Sequence, residues 1–259
     1  MTKLSARVSR RRFLGAAAAG PVATIAAPSI LCAGKHDQAT VIGSGEHQYE
    51  VIHHYPRLPD QFTWQTTHNV AVDASQNLYV IHEGDVKKKD QPAIFVFDPS
   101  GEYIRSFGRH FKGGGHGLEI RNEGGEEFLY VTGYKSIKSL AKLTLKGEQI
   151  WKLGAPMESG VYRDGEDQGD SYGFQRDRFL PTNFAFLPDG GFMLADGYGS
   201  YYIHRYDKDA RWVSCFGGAG SGEGQFNTPH GLTLDNRQAE APVIVVADRA
   251  NNALQRFTL

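Results

Sequence analysis

The sequence is poor in cysteine and carries almost no net charge. Its 259 residues include two cysteines, and 28 Lys and Arg residues stand against 29 Asp and Glu residues. Cys32 lies in or directly after a leader, so the mature domain keeps only Cys215 and forms no disulfide framework. A structural zinc site of the multi-cysteine kind is excluded too, so any metal site must use histidine, carboxylate or backbone oxygen ligands. The balanced charge gives no field that attracts nucleic acid, and we expect no nucleic-acid partner.

Proline is also scarce, whereas glycine and aromatic residues are plentiful. The chain has 11 prolines, 31 glycines and 12% aromatic residues. This composition suits short strands joined by tight turns and does not suit a helical bundle. Hydrophobic residues make up 40% of the chain and the net charge is -1, which argues against disorder. We therefore expect an all-β protein.

The first 33 residues have the layout of an export signal. Residues 9–14 read SRRRFL, and an apolar, alanine-rich run continues from there to Leu31. This is the order of segments in signal peptides, and the arginine pair before Phe-Leu resembles the twin-arginine consensus. Gly20 and Pro21 interrupt the apolar run, which disfavours a spanning helix, and a short membrane anchor is the alternative. We expect residues 1–33 to be a twin-arginine signal and the protein to be periplasmic or extracellular. We do not expect it to be an integral membrane protein.

Four segments of the remaining chain repeat one pattern. They begin at His68, His116, Thr182 and His230. Each reads as a short apolar strand, a polar turn, a buried strand, a loop, a third strand and, where present, a fourth strand that ends in Phe-Gly or Leu-Gly. Four-stranded units that recur every ~40–50 residues are typical of propeller blades. A β-sandwich or a β-helix is the alternative, but neither predicts this four-strand register.

The strands and turns inside the repeats indicate the same architecture. Residues 78–81 (LYVI) and 243–247 (VIVVA) are apolar on both faces, so each must lie between two neighbouring sheets. Residues 98–101 (DPSG) and 187–190 (LPDG) have the composition of tight turns between strands. The sequence therefore predicts short sheets packed face to face.

The last repeat resembles the NHL-repeat family. Residues 221–235 read SGEGQFNTPHGLTLD and residues 247–257 read ADRANNALQRF, within a resemblance that covers residues 50–259. It implies an NHL-type β-propeller, which usually has six blades. Four repeats are visible, and the last one stops where a fourth strand should begin. We expect a partial propeller at residues 41–259, truncated at its C-terminus with about two blades absent. The alternative is a smaller ring, closed by the segment before Phe62.

Three histidines occupy equivalent positions in the repeats. His68, His116 and His230, with Thr182 in the third repeat, lie two residues before the apolar position of the first strand. In a propeller such positions form a ring about the axis, and three imidazoles with one open position make a catalytic zinc geometry. His116 and His230 would be two ligands, a missing blade would supply the third, and His68 would be a fourth ligand or a substrate contact. The alternative is a structural turn without a metal.

Among NHL proteins, the chain most resembles the catalytic core of peptidyl-α-hydroxyglycine α-amidating lyase. The resemblance implies an enzyme that splits a C-terminal α-hydroxyglycine into a peptide amide and glyoxylate. It also implies zinc held by three histidines, including His116 and His230, and a structural calcium that faces the carbonyls of Val70 and Leu118. The matching stretches are residues 70–73, 116–118, 196–198, 224–226, 229–230 and 247–249.

The same resemblance assigns the remaining site residues. Tyr198 would be the catalytic base, and Arg249 would support the metal site or contact the substrate. The alternatives are that Tyr198 caps its blade and that Arg249 pairs with Asp248 or Asp196. One position departs from the family, because the loop after the first buried strand reads IHEGD, with Glu83 where the lyase has an arginine for the substrate carboxylate. A glutamate repels a carboxylate, which argues against the native lyase reaction.

Three functions remain open from the sequence. The first is a metal-dependent, lyase-like enzyme with a small-molecule or peptide substrate. The second is a non-catalytic NHL scaffold that binds a protein or glycan on one face. The third is a calcium-dependent propeller hydrolase or lactonase, which an acidic or asparagine-rich axis would favour. Residues 156–174, an acidic insertion between the second and third repeats, are a calcium loop, a lid or a solvated loop.

Overall fold

The computed structural model describes residues 40–168 and 173–259, and the expected export signal lies outside them. Within these residues the chain forms β-strands and three short 3₁₀ turns, and no α-helix, which confirms the all-β prediction. No helical segment in the described part is long and apolar enough to cross a bilayer. The export pathway and the location outside the cytoplasm stay predictions.

The described strands form one hairpin and four larger antiparallel sheets, in which strands adjacent in sequence are hydrogen-bonded. The hairpin contains β1 (Thr40–Ser44) and β2 (His47–Val51). Blade 1 contains β3 (Thr67–Val72), β4 (Leu78–His82), β5 (Ile94–Phe97) and β6 (Tyr103–Phe107). Blade 2 contains β7 (Gly115–Glu123), β8 (Glu126–Gly133), β9 (Ser139–Thr144) and β10 (Gln149–Leu153). Blade 3 contains β11 (Phe184–Phe186), β12 (Phe192–Ala195), β13 (Tyr202–Tyr206) and β14 (Trp212–Gly217). Blade 4 contains β15 (Pro229–Asp235), β16 (Val243–Asp248) and β17 (Ala253–Thr258). The 3₁₀ turns are Arg109–Phe111, Met157–Ser159 and Arg249–Asn251. This four-blade arrangement confirms the predicted β-propeller class.

The segment before blade 1 adds no strand to any described blade. β1 and β2 pair only with each other, and almost all of their residues are exposed. Further along, Leu58, Phe62 and Trp64 pack against Val80 and Phe95 of blade 1. The segment therefore covers one face of blade 1 instead of closing a smaller ring among the described blades. The six-blade total and the absent blades stay predictions.

Apolar clusters between the sheets hold neighbouring blades together. The middle strands β4, β5 and β12 are buried along almost their whole length, as predicted for residues 78–81. Fully burying one large aliphatic or aromatic side chain stabilises the fold by about 1.5–3 kcal/mol. The clusters include Tyr79, Ile94, Leu118 and Leu129 between blades 1 and 2, Tyr130, Phe184 and Phe192 between blades 2 and 3, and Met193, Ile203, Ile244 and Val246 between blades 3 and 4.

The predicted turn at residues 98–101 connects β5 and β6. The Asp98 carboxylate accepts hydrogen bonds from the backbone N–H groups of Ser100 and Glu102 at 2.9 and 3.0 Å. Gly101 completes the turn with a φ of 84°, a conformation that favours glycine. The predicted turn at residues 187–190 joins β11 and β12, with Asp189 accepting a hydrogen bond from the Gly191 N–H at 2.9 Å and Gly190 at a φ of 91°. Local turn chemistry therefore fixes the length of these strands.

The insertion between blades 2 and 3 exposes many of its described residues to solvent but is anchored by two buried side chains, Tyr162 and Glu166. Glu166 is fully buried and forms ion pairs with Lys138 at 3.1 Å and with Arg178 at 2.7 Å. Burial alone would raise the pKa of Glu166, but hydrogen bonds from Arg178, the Phe179 N–H and Lys138 hold it below its ordinary value. A charged carboxylate therefore fastens the insertion to the loops around it.

A buried hydrogen-bond network forms a second anchor for the insertion. The Tyr162 hydroxyl donates to Asp196 Oδ2 at 2.9 Å and accepts from His204 Nε2 at 2.7 Å. Trp212 Nε1 donates to His204 Nδ1 at 3.2 Å. Because Nδ1 accepts a hydrogen bond, the imidazole is neutral, and burial lowers the pKa of His204 to about 3. The network thus joins the insertion to blade 3 through an uncharged histidine.

We expect the free energy of unfolding to fall as the pH drops below neutrality, with His204 contributing to the fall. The unfolded imidazole takes up a proton near pH 6.5 and the folded one near pH 3, so its contribution is complete above 6.5 and is lost on acidification. His204→Gln keeps a donor and an acceptor but does not titrate. Urea unfolding at several pH values from about 7 to 5 gives the free energy of unfolding as a function of pH. For His204→Gln this free energy should fall less steeply on acidification than for the wild type, by up to about 1.4 kcal/mol per pH unit. The exposed His53→Gln variant is the control, and equal slopes for wild type and His204→Gln would contradict the prediction.

Candidate functional site

The repeat histidines lie at the start of the innermost strands of blades 1, 2 and 4. His68, His116 and His230 are each the second residue of their strand, β3, β7 and β15. The His68 and His116 rings stack with their centroids 4.3 Å apart, and the His116 and His230 rings are 4.9 Å apart. Thr182, at the equivalent position of blade 3, places its carbonyl oxygen 3.3 Å from His116 Nδ1. Residues equivalent in the repeats thus meet in one cluster.

His116 is the most buried histidine of this cluster, and its contacts fix its tautomer. Nδ1–H donates to the Thr182 carbonyl, so Nε2 carries a lone pair. Burial, with the neighbouring His68 and His230, lowers the pKa of His116 to about 2. In the described chain, Nε2 of His116 and Nε2 of His68 are buried without hydrogen-bond partners. Buried polar atoms of this kind are rare in proteins, so both nitrogens are candidate positions for a bound water, ion or ligand.

Tyr198 reaches the cluster from the loop after β12. Its hydroxyl lies 2.8 Å from His230 Nε2, and its ring meets the His116 and His230 rings edge-on at 5.4 Å. Arg249, directly after β16, places Nη1 3.5 Å from this hydroxyl and its guanidinium carbon 5.5 Å from the ring centre. Burial, and then the charge of Arg249, lowers the pKa of His230 to about 4. Both predicted catalytic residues therefore lie beside the histidines.

The contacts do not support the structural alternatives for these two residues. Asp196 caps the loop that carries Tyr198, because its carboxylate accepts hydrogen bonds from the backbone N–H groups of Gly199 and Ser200 at 3.2 and 2.8 Å. Arg249 forms no ion pair with Asp248 or Asp196 within the described residues. Asp248 instead accepts hydrogen bonds from neighbouring amide groups. The Tyr198 hydroxyl and the Arg249 guanidinium are thus directed at the histidine cluster.

A second tyrosine, which the sequence reasoning missed, belongs to the same cluster. The Tyr134 ring centroid lies 5.6 Å from that of His68, 5.3 Å from that of His116 and 5.2 Å from that of Tyr198. A Gly-Tyr pair follows the second strand in blades 2 and 3, and it places Tyr134 and Tyr198 at equivalent positions. This repeated pair is the signal that could have identified Tyr134.

Glu83, which stands where the lyase has an arginine, lies at the edge of the cluster. Its carboxylate accepts a hydrogen bond from the Tyr134 hydroxyl at 3.1 Å and forms an ion pair with Lys135. The side chains of Glu83 and Lys135 are both about a quarter exposed. The negative charge of Glu83 is therefore compensated on this side, whereas Arg249 places a positive charge on the side of blade 4.

The residues expected at calcium lie on the innermost strands. Val70 of β3 pairs with Val80 and is exposed, whereas the Leu118 side chain of β7 is buried between blades 1 and 2. Next to the histidines, Asn69 Nδ2 donates to Asn183 Oδ1 at 2.8 Å, and Asn183 Nδ2 donates to the His230 carbonyl at 3.0 Å. These amides join blades 1, 3 and 4, and calcium at Val70 and Leu118 stays a prediction.

The donor chemistry of the cluster fits a divalent metal. His68 and His116 offer buried nitrogens without partners, and His230 Nε2 faces the Tyr198 hydroxyl. Neutral imidazoles are the usual nitrogen ligands of zinc. Among the described residues, however, no group of three or more His, Cys, Asp or Glu side chains is placed so that it could hold a metal ion. Zinc binding by His116 and His230, with His68 as a further ligand or a substrate contact, therefore stays a prediction.

The blades define a β-propeller, and the His-Gly motif of blades 2 and 4 resembles that of NHL repeats. The chain is 27% identical over 209 residues to NHL repeat-containing protein 3 of Homo sapiens, covering 78% of this chain and 54% of that protein. It is 26% identical over 214 residues to peptidyl-glycine alpha-amidating monooxygenase of Mus musculus, covering 73% of this chain and 20% of that protein. The chain thus spans about half the length of the first relative and a fifth of the second. No family model matches the chain. The relatives confirm the predicted resemblance to NHL-repeat and peptidylglycine-amidating proteins.

Close packing of blades 2 and 3 at Gly117 supports the cluster. The Gly117 N–H donates to Thr132 Oγ1, and that hydroxyl donates to the Thr182 carbonyl, both at 2.6 Å. A Cβ on Gly117 would lie 2.1 Å from the Thr182 carbonyl oxygen. Gly231 follows the equivalent histidine in blade 4, but the nearest heavy atom to a Cβ there is Ala247 Cβ, at 3.9 Å. The His-Gly motif of blade 2 therefore leaves no room for a Cβ atom on its glycine, whereas that of blade 4 does.

We expect Gly117→Ala to destabilise the protein and Gly231→Ala to have little effect. The methyl group at residue 117 would push blade 3 away from blade 2, at a cost of about 1–3 kcal/mol or more. At residue 231 the same methyl group makes an ordinary van der Waals contact. Urea unfolding of both variants beside the wild type measures the difference. Equal loss of stability in the two variants would show that the close approach at Gly117 is not what holds these blades together.

Proposed function

We propose that the cluster of His68, His116 and His230 is the active site of a zinc-dependent lyase of the amidating type, acting outside the cytoplasm. The observation that carries the proposal is the Tyr198 hydroxyl, 2.8 Å from His230 Nε2, beside two buried imidazole nitrogens without partners in the described chain. An acid–base group next to available metal ligands is the arrangement that metal-assisted proton abstraction requires. The similarity to a peptidyl-glycine alpha-amidating monooxygenase over 73% of the chain supports the same chemistry.

His68, His116 and His230 would hold the metal. Bound zinc supplies Lewis acidity, which makes a coordinated hydroxyl easier to deprotonate. The protein keeps these imidazoles neutral, because burial lowers the pKa of all three. The Thr182 carbonyl holds His116 in the tautomer that presents Nε2. Orientation by a backbone carbonyl of this kind is common behind metal-binding histidines.

With its own hydroxyl deprotonated, Tyr198 would act as the base toward a substrate hydroxyl on a carbon that is also bonded to nitrogen. The substrate hydroxyl gives its proton to the tyrosine oxygen, and the O–H electron pair forms a carbonyl. The C–N bond then breaks, the nitrogen keeps the bonding electrons, and the tyrosine hydroxyl passes the proton it has received to that nitrogen, so the products are an amide and a carbonyl compound. Arg249, 3.5 Å from the tyrosine oxygen, stabilises the negative charge on that oxygen before it takes the proton.

Glu83 restricts which substrate fits. A substrate carboxylate beside Glu83 would meet the Glu83 carboxylate. Lys135 and the Tyr134 hydroxyl already interact with Glu83. A neutral group at this edge avoids the repulsion. We therefore expect a substrate that is a small molecule or a peptide end, with the hydroxyl of an α-hydroxy amide and an uncharged substituent near Glu83.

The purified protein should contain about one zinc ion per chain, and a His116→Ala, His230→Ala double variant should contain none. Elemental analysis after dialysis measures both. A His53→Ala, His54→Ala double variant is the matched control, since it removes two exposed histidines that lie outside the four blades. Absence of zinc from the wild type, or equal loss in the control, would favour a non-catalytic scaffold that binds a protein or glycan on one propeller face.

Tyr198→Phe should lower the turnover of an α-hydroxy amide about 100-fold or more while retaining zinc, because it removes only the acid–base oxygen. Product carbonyl formation measures the rate. Full activity in Tyr198→Phe would remove the tyrosine from the reaction and contradict the proposed mechanism.

Glu83→Arg should raise activity on α-hydroxyglycine peptides relative to the wild type, because it replaces repulsion of the substrate carboxylate by attraction. The same measurement of product carbonyl formation compares this variant with the wild type.

A further inference from the structure

An exposed aromatic ring lies beside Tyr198 and has no role in the reaction described above. Phe174, the last residue of the insertion, is 55% exposed although its side chain is large and apolar. Its ring meets the Tyr198 ring edge-on, with the two centroids 6.3 Å apart. A single exposed phenylalanine needs no explanation on a protein surface, but this one adjoins the tyrosine that we propose as the base.

Arg176 fixes the position of Phe174. Its Nη2 donates hydrogen bonds to two carbonyl oxygens, that of Phe174 and that of Tyr198, the latter at 3.3 Å. The guanidinium carbon lies 3.6 Å from the centre of the Tyr201 ring, in a cation–π contact. Tyr201 accepts a hydrogen bond from Thr228 Oγ1 at 3.3 Å. One cation therefore holds the end of the insertion against the loop that carries Tyr198, and the exposed ring is fixed at its backbone.

Three aromatic rings follow one another along this side of the site. The Tyr134 ring centroid lies 5.2 Å from that of Tyr198, and the Phe174 centroid is the next in the series. At the other end, the Tyr134 hydroxyl donates a hydrogen bond to Glu83 at 3.1 Å. This series of contacts runs from a carboxylate, past the proposed base, to an apolar ring. The two ends of a substrate that reaches Tyr198 therefore meet different chemistry.

We propose that Phe174 and the Tyr198 ring form a subsite for an apolar group on the acyl side of the α-hydroxy amide, an inference that rests on the proposed lyase function. The substituent of the hydroxyl-bearing carbon lies toward Glu83, so the acyl group on the nitrogen extends the other way, toward Phe174. Aromatic side chains give a large contact area at a low cost in side-chain entropy, and edge-on contacts between rings add to it. The preferred substrate is thus an amide of an aromatic or branched aliphatic acid, or a peptide with such a residue before the hydroxylated one.

Binding of two unreactive probes, N-benzoylglycinamide and N-acetylglycinamide, tests the subsite. Both lack the hydroxyl group that the lyase reaction requires, and they differ only in the acyl group. In an NMR titration, the wild type should bind the benzoyl probe about tenfold more tightly than the acetyl probe, because the phenyl ring is removed from water. Phe174→Ala should bind both probes with the affinity of the wild type for the acetyl probe. Because Phe174 is more than half exposed, this variant is expected to fold, and urea unfolding checks it.

Two further variants make the test specific. Tyr49→Ala removes an aromatic side chain of β2 that is 63% exposed, and it should keep the tenfold preference. Tyr198→Phe keeps the ring and loses only the hydroxyl, so it should keep the preference while it loses turnover. A preference that disappears in Tyr49→Ala as it does in Phe174→Ala would indicate binding at exposed aromatic residues in general and would overturn the proposal.

Equal affinities of the wild type for the two probes, or an undiminished preference in Phe174→Ala, would also overturn the subsite. Neither result would touch the lyase, which is tested by zinc content and by product formation. Conversely, a preference that depends on Phe174 in a protein that forms no product from any α-hydroxy amide would support the subsite and contradict the lyase. The two failures are therefore distinguishable.

Discussion

The burial of both faces of each blade is the constraint on which the rest of this structure depends. Strands such as β4 and β12 are apolar on both sides, so a single sheet cannot form its own core. Each blade is stable only when a neighbour covers it, and the candidate site inherits that dependence. His68 comes from blade 1, His116 from blade 2, Tyr198 from blade 3 and His230 from blade 4. The site therefore exists only in the assembled propeller.

The repeat pattern was sufficient to predict the blades and the meeting of three histidines, because equivalent positions in a propeller are related by rotation. It identified residues 78–81 as a buried strand and placed His68, His116 and His230 at the same point of their strands. It did not reveal Tyr134, although the Gly-Tyr pair recurs in blades 2 and 3. The side chain of a loop residue reaches the centre of the propeller only if the twist of its blade directs it there. The spacing of residues along the sequence does not encode this twist.

The insertion shows a different limit of sequence reasoning. Its acidic, glycine-rich composition is that of a solvated loop, yet Tyr162 and Glu166 are buried. Their partners, among them Lys138, Arg178 and His204, lie up to 42 residues away in sequence. Burying a carboxylate is unfavourable in isolation and becomes acceptable only when several donors surround it. Composition reports the carboxylate but not the donors, so the anchoring could be recognised only in three dimensions.

The electrostatics of the cluster bear on how a substrate would lie in it. The imidazoles are neutral because they are buried, so they contribute no charge of their own at neutral pH. On one side the charge of Glu83 is compensated by Lys135, and on the other Arg249 has no carboxylate partner among the described residues. A polar substrate would therefore turn its more negative end toward Arg249 and its neutral end toward Glu83. In that orientation a negative charge that developed on a substrate would lie beside the Tyr198 oxygen, within reach of the Arg249 guanidinium.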